Sequence, residues 1–504
     1  MNAECRPPTR HTKITLVRRM NLRHLAFWII ASLVFTTVGS LQADEASDAS
    51  ARNREVSALY ATGDAQGAYA LGEEVLAENR TILGPNHPEV ARSLYQLAVM
   101  NQRLGRYSEA ERQHLEALKV REATLKADDL AIANSAMALG AMYRNRGQYT
   151  QAEPYLKRGL TVREAALGPH HRDIAHSLIE LARMYRAQDR FGEAEPLARR
   201  ALGMLEEILG ADNPRVSEVL NELALIFHNQ NRYDEALPYY LRALAIRERV
   251  LRAGDILIAR SLSNLAVLYH NKADFNEAER YYRRALEAKR TALGVRHPDV
   301  AVSLRNLGLM FVSKGELETA EKLLREAIAI LEAVIGSDTG AVAGTLFHLA
   351  ELYIQQKRLD EAETLLTRAI RIWERVLNPK HPAVARAKSA LALLYLQQKR
   401  LAEAEALQRQ SLEILDHAMG PQHPDLATAL GNLAQIYHAQ GKSTQTESLY
   451  RRALAIREHS VGADHRLVAE DLEALAAVLL GKGQEVEALA LRKRADKIRR
   501  RPTP

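Results

Sequence analysis

The stretch HPEVARSLYQLA at residues 87–98 recurs as HPDVAVSLRNLG at 297–308 and as HPDLATALGNLA at 423–434. The three starting points are separated by whole multiples of 42. Ala91 recurs at the same spacing up to Ala469, with Ser217 as the one exception among the ten positions. A fixed period of this length predicts a repeat architecture. With a degenerate first copy at 49–90, the chain holds about eleven units.

Each unit contains two stretches with helical periodicity. In the first stretch the apolar residues fall on one face, as Leu94, Leu97 and Ala98 do. A second amphipathic stretch follows after a short turn, so the two helices of a unit are expected to lie antiparallel. One pair cannot bury its own apolar stripe, and neighbouring units must therefore stack. The predicted fold is an all-α solenoid of about eleven antiparallel helix pairs.

The helix ends carry recognisable signals. The position of His87 also holds Asp, Asn or Thr in other units, and proline often follows, which favours a helix N-cap over a metal ligand. Gly105 and its equivalents predict a left-handed turn between the two helices. Ser108-x-x-Glu111 has the pattern of a capping box for the second helix, as do the segments at 150–153 and 444–447. Gly84 and its equivalents, with Asn378 in one unit, are expected to end the second helix as left-handed caps.

The repeated pattern Ala-x-x-Leu-x-x-Leu-Ala-x-x-Tyr, then Gly-x-Tyr-x-Glu-Ala-Glu, then Arg-Ala-Leu resembles a tetratricopeptide repeat, most clearly at residues 259–290. The long, constant period and the His-Pro start are similar to the kinesin light chain subtype, which is common in bacterial repeat proteins. This resemblance implies a right-handed α-solenoid. It also implies a non-enzymatic scaffold or adaptor that binds a protein or peptide in a concave groove lined by first helices.

The resemblance also implies particular ligand-binding residues. In clamp-type members, an asparagine just before the Leu-Ala pair of the first helix binds the ligand backbone. Three units have asparagine there, and charged and polar residues surround two of them. We therefore predict a groove centred on residues 260–306, and the alternative is that these are ordinary solvated side chains. The predicted peptide-binding residues are Arg260, Asn264, His270, Asn271, Arg305, Asn306 and Asn432.

Charge and composition argue against several other functions. The formal net charge is +7, but the basic excess lies in residues 1–43 and 492–504, and the body between them is close to neutral. This charge distribution does not favour nucleic acid as a partner. Phosphate-binding glycine loops, nucleophile motifs and metal-ligand spacings do not stand out. We expect no catalytic residues, no metal, and no cofactor.

The N-terminal segment has the layout of an export signal. Basic residues precede the apolar run 25–38, and a small-residue segment ends at Ala43. Met20 is an alternative start. The predicted organisation is a signal peptide at 1–43, a short linker at 44–53, the solenoid at 54–498 and a basic tail at 499–504. A cleaved signal implies a periplasmic or secreted protein. An uncleaved one implies a membrane tether through residues 25–43 and a subunit that organises an envelope complex through its convex face or tail.

Overall fold

The computed structural model describes residues 44–500, and every regular element in this part of the chain is an α-helix. We call the odd-numbered helices first helices and the even-numbered ones second helices. The helices are α1 (44–61), α2 (Ala65–Leu83), α3 (Pro88–Arg103), α4 (Tyr107–Thr124), α5 (Leu130–Asn145), α6 (Tyr149–Leu167), α7 (Arg172–Arg186), α8 (Phe191–Leu209), α9 (Pro214–Asn229), α10 (Tyr233–Val250), α11 (Ile256–Asn271), α12 (Phe275–Leu293), α13 (Pro298–Lys314), α14 (Leu317–Ile335), α15 (Gly340–Gln355), α16 (Leu359–Val376), α17 (Pro382–Gln397), α18 (Leu401–Met419), α19 (Pro424–Ala439), α20 (Ser443–Val461), α21 (Arg466–Gly481) and α22 (Glu485–Arg499).

Contacts divide the chain into two units, one ending at Tyr239 and the other beginning at Tyr240. Within each unit the first and second helix of a pair pack against each other, and the second helix also packs on the first helix of the next pair. The side chains of Leu94, Leu97 and Ala98 are fully buried, as the periodicity predicted. The prediction of an all-α solenoid of about eleven helix pairs is confirmed.

First helices form the inner layer of each unit. In the first unit α3, α5, α7 and α9 touch one another in order, and α13, α15, α17 and α19 do so in the second. Consecutive second helices approach each other less closely. We call the surface of the odd-numbered helices the first-helix face.

The histidines before the first helices are N-caps, as predicted. Nδ1 of His87 accepts a hydrogen bond from the backbone N–H of Glu89 at 3.2 Å, and His297 caps α13 in the same way at 3.1 Å. Asp129 fills the same role for α5 through its carboxylate. A histidine accepts this bond only when Nδ1 carries no proton.

The helix-ending turns agree only in part with the prediction. Gly105 and Asn231 have φ of 74° and 60°, so the turn inside a pair is left-handed as expected. Gly84 has φ of 81° but ψ of 159°, so the predicted left-handed cap is wrong there. That combination of angles is almost restricted to glycine, which explains why glycine ends so many second helices.

The predicted capping boxes are also wrong. Helix α4 begins at Tyr107, its N-cap is Arg106, and no side chain caps it. Ser108 therefore lies inside the helix. Glu111 instead accepts hydrogen bonds from Tyr143 at 2.8 Å and Arg146 at 3.1 Å, both on the following helix pair.

Residues 44–53, predicted as a linker, are helical, and the helix pairs extend to Arg499. The predicted signal peptide at 1–43, the alternative start Met20 and residues 501–504 of the basic tail lie outside the described residues.

Candidate functional site

Helix α11 carries four of the predicted binding residues. Arg260 and Asn271 are exposed, and Asn264 and His270 are half-buried. Nε2 of His270 lies 3.0 Å from Oγ of Ser313 at the end of α13, which links the two first helices. Burial lowers the pKa of His270 and so favours its neutral form.

Helix α13 carries Arg305 and Asn306, both half-buried. Asn306 occupies the same position in its helix as Asn264 does in α11, one repeat earlier. The side chains of Arg305 and Asn306 form no hydrogen bond or ion pair with any residue from 44 to 500. Burial lowers the pKa of Arg305, because a partly desolvated guanidinium has no carboxylate beside it. These two side chains retain their hydrogen-bonding capacity for a ligand.

Asn432 lies apart from this group. It belongs to α19, three repeats after Asn306. Its amide donates a hydrogen bond to Oγ of Ser389 on α17 at 2.9 Å. The side chain therefore joins two first helices, and its predicted role in peptide binding stays a prediction.

An aromatic pair missed by the sequence analysis lies on the next repeat. Phe347 of α15 occupies the position that Arg305 has in α13, and its ring centre lies 5.9 Å from that of Trp373. A Cβ atom added at Gly344 would have only the Trp373 ring as a neighbour within 4 Å, at 3.8 Å, so there is free space beside the aromatic pair. Phe347 and Trp373 are half-buried and offer apolar area beside the polar group on α13. The sequence did offer one signal for this pair: Trp373 is one of only two tryptophans in the chain.

In two repeats of the first unit, the position just before the Leu-Ala pair of the first helix holds a glutamate that is already paired. Glu180 of α7 binds Arg144 of α5 at 2.7 Å and Arg183 at 2.8 Å, and Glu222 of α9 binds Arg186 at 2.6 Å. Burial acts to raise the pKa of Glu180, but the two arginines outweigh it and the pKa lies below its ordinary value. From the sequence alone these positions stand out only because they lack asparagine. This part of the first-helix face is therefore satisfied internally, unlike the surface around Arg305.

Residues 44–500 contain neither a candidate metal site nor a candidate membrane span. Histidine, cysteine, aspartate and glutamate side chains there do not gather into a group of three that could hold a metal ion. None of the helices in that range combines the length and apolar character needed to cross a membrane. The segment 25–43, predicted as an alternative tether, lies outside the described residues.

The helix pairs repeat along the chain, and their first-helix face bears the side chains of Arg305 and Asn306, which are unpaired within the described residues. This is the architecture of a helical-repeat scaffold. The chain belongs to the tetratricopeptide repeat family, whose sequence profile matches residues 47–123, 130–207, 193–249, 215–291, 257–333, 341–417, 386–459 and 425–501. The helix pairs follow one another at the constant spacing that is expected for the kinesin-light-chain-like form. A comparison with curated proteins finds no match.

Several solved structures are similar to the chain. BtubC from P. vanneervenii is 23% identical with a TM-score of 0.39, over 48% of this chain and 94% of that one. A putative kinesin light chain from Podosopora anserina with nearly identical repeats is 24% identical with a TM-score of 0.36, over 40% and 96%. The quorum sensor NprR from B. thuringiensis, in its apo form, is 14% identical with a TM-score of 0.51, over 72% and 98%. At these identities the likeness concerns the fold alone.

Proposed function

We propose that the chain is a non-enzymatic adaptor that binds a segment of another protein on the first-helix face of its second unit, from α11 to α15. Membership of the tetratricopeptide repeat family supports a protein-binding scaffold. The proposed location is based on Arg305, whose half-buried guanidinium has no acidic partner in the described chain. A desolvated guanidinium gains more from a ligand carboxylate than an exposed one does.

The neighbouring groups suit an extended peptide. The side-chain amides of Asn264 and Asn306, at equivalent positions of consecutive first helices, can each donate to and accept from a peptide backbone. Arg260 and Arg305 add positive charge, and Phe347 with Trp373 offers an apolar surface for one side chain. The ligand that fits is therefore a segment with an acidic residue next to an apolar anchor.

The test is a comparison of bound proteins captured by the wild-type chain, the double variant Asn264→Ala with Asn306→Ala, and the control Asn276→Ala. Asn276 is exposed on the second helix α12, so its loss leaves the first-helix face unchanged. A partner retained by the wild type and the control but lost by the double variant supports the proposal. If all three proteins capture a partner equally, the binding surface does not lie on α11–α13. That result would favour the alternative, a subunit that organises an envelope complex.

We also propose that the protein is exported. The support is the order of basic, apolar and small residues within 1–43. N-terminal sequencing of the mature protein tests it, with Asp44 expected as the first residue. A mature protein that retains residues 25–43 contradicts cleavage and favours the membrane-tethered subunit.

A further inference from the structure

One side-chain contact between consecutive helix pairs recurs through the chain. It joins an arginine near the end of a second helix to a serine on the next first helix, always at the same separation in sequence. In the first unit these pairs are Arg121 with Ser135, at 2.7 Å, and Arg163 with Ser177, at 2.9 Å. Both arginines also donate to backbone carbonyls of the helix that they reach.

These two guanidiniums are buried without an anion. Arg121 is 7% exposed and Arg163 is 8% exposed. Their hydrogen-bond partners are two hydroxyl groups, two backbone carbonyls and the amide oxygen of Asn134, all of them neutral. Burying a charge without a counter-charge is unfavourable, and burial accordingly lowers the pKa of both side chains.

The chain contains its own comparison near the C-terminus. Arg457 occupies the same position in α20, and its partner on the next first helix is Asp471 in place of serine. Nε of Arg457 lies 2.6 Å from that carboxylate, and both side chains are largely buried. The repeat can therefore supply an internal anion at this position, and at Ser135 and Ser177 it does not.

Arg121 and Arg163 reach adjacent residues of α5, Ser135 and Asn134. The Arg121 guanidinium lies 4.9 Å from the centre of the Tyr95 ring. Burial raises the pKa of Tyr95, and the charges of both arginines act to lower it. Arg163 reaches the exposed side chain of Asn134 at 3.0 Å, so the edge of this cluster is open to solvent.

The charges of Glu89 and Asp129 act on Arg121 and that of Asp173 acts on Arg163, but none of these three carboxylates forms an ion pair with either arginine. The carboxylate of Asp129 accepts the backbone N–H of Ala131 as the cap of α5, and that of Glu89 accepts the side-chain amide of Asn53. Neither carboxylate lies within ion-pair distance of Arg121. An added anion would therefore meet two guanidiniums that form no ion pair with a carboxylate of the described chain.

We propose that Arg121, beside the Tyr95 phenol, and Arg163, beside the exposed Asn134, together form a binding site for one oxyanion, a carboxylate or a phosphate group, that enters from the first-helix face. Their guanidinium N–H groups would bind the oxyanion through charge-assisted hydrogen bonds. The site lies in the first unit and does not depend on the peptide proposed for the second. Loss of one function therefore leaves the other testable.

Isothermal titration calorimetry of the whole chain tests the site, with sodium phosphate and sodium acetate titrated separately at fixed ionic strength in chloride. Saturable binding of phosphate alone assigns the site to phosphate groups. Saturable binding of acetate, with or without phosphate, assigns it to carboxylates as well. Saturation by neither anion overturns the proposal.

Three variants locate the binding. Ser135→Asp with Ser177→Asp supplies internal carboxylates of the kind that Asp471 provides, and should weaken anion binding by roughly tenfold or more. Arg121→Met with Arg163→Met should weaken it as strongly, and replacing buried charge by an apolar group of similar size generally preserves folding. Ser261→Asp, the same substitution next to Arg247 in the second unit, should keep wild-type affinity. Wild-type affinity in either folded double variant overturns the assignment.

Discussion

Tyr353 of α15 donates a hydrogen bond to Oε1 of Glu321 on the preceding helix pair at 2.8 Å. Arg358 binds the other oxygen of Glu321 at 2.7 Å, and its guanidinium lies 3.8 Å from the centre of the Tyr353 ring. The same three-residue clamp occurs at Glu363, Tyr395 and Arg400. It joins one helix pair to the next, so the stability of the array is expected to depend on it.

Replacing Tyr353 with phenylalanine removes the hydrogen bond donated to Glu321 and the one accepted from Arg325, and keeps the ring. We expect Tyr353→Phe to lower the free energy of unfolding by about 1 kcal/mol, the usual net contribution of such a bond. Urea denaturation followed by circular dichroism measures it. The control is Tyr107→Phe, because the exposed Tyr107 hydroxyl forms no hydrogen bond within the described chain. Equal losses in the two variants would show that the clamp contributes nothing specific.

The clamp also predicts a dependence of stability on pH. Burial acts to raise the pKa of Glu321, but hydrogen bonds from Arg358, Tyr353 and Arg325 lower it to about 2. An unfolded glutamate titrates at roughly pH 4.3. Because the folded pKa is the lower one, the contribution is fully present above the unfolded value and is lost as the pH falls towards 2.

The advantage of the wild type over Glu321→Gln in melting temperature should therefore be constant near neutrality and shrink below about pH 4. Thermal melts across this range measure the difference at each pH. An advantage that stays constant down to pH 2 would mean that the Glu321 charge plays no part in the clamp.

The histidine caps make a separate prediction. His297→Ala should lower the free energy of unfolding by about 1 kcal/mol, because the backbone N–H of Asp299 loses its acceptor. His297→Asn should retain most of the stability, since asparagine is a favoured N-cap and occurs at this position as Asn213. Melting temperatures of the two variants distinguish them. Indistinguishable losses would show that the cap bond of His297 is unimportant.

Ala273 has φ of 58°, in the left-handed region that disfavours residues with a Cβ atom. Ala273→Gly should raise the free energy of unfolding by up to about 1 kcal/mol, because relief of strain exceeds the entropy that glycine loses. The matched control is Ala187→Gly, where φ is −68° and glycine should destabilise. Thermal melts of both variants provide the comparison, and destabilisation of similar size in both would contradict the strain at Ala273.

The constant period of the sequence was sufficient to predict the helix pairs, because each repeat obeys the same packing and capping requirements. The position of His87 could be interpreted from the Asp, Asn and Thr that replace it in other repeats. Glu111 was misinterpreted because its partners, Tyr143 and Arg146, lie 32 and 35 residues further along the chain. A local capping motif and a contact between repeats look identical when only the local residues are read.

The candidate site was predictable only where it repeats a family pattern. Asn264 could be selected from its place before a Leu-Ala pair, and Asn306 from the same position one repeat later, before Leu-Gly. Neither the absence of a partner for Arg305 in the described chain nor the pairing of Glu180 with Arg144 could be predicted, because each depends on which side chains of neighbouring helices come together. The same holds for Arg121 and Arg163, whose burial follows from stacking.

The most direct test of the adaptor function is photo-crosslinking from a photoreactive amino acid placed at position 306, with position 276 on α12 as the matched control. The proposed function predicts that position 306 crosslinks a discrete partner protein in the native host and that position 276 does not. Crosslinking of the same partner from position 276 alone would contradict binding on the first-helix face.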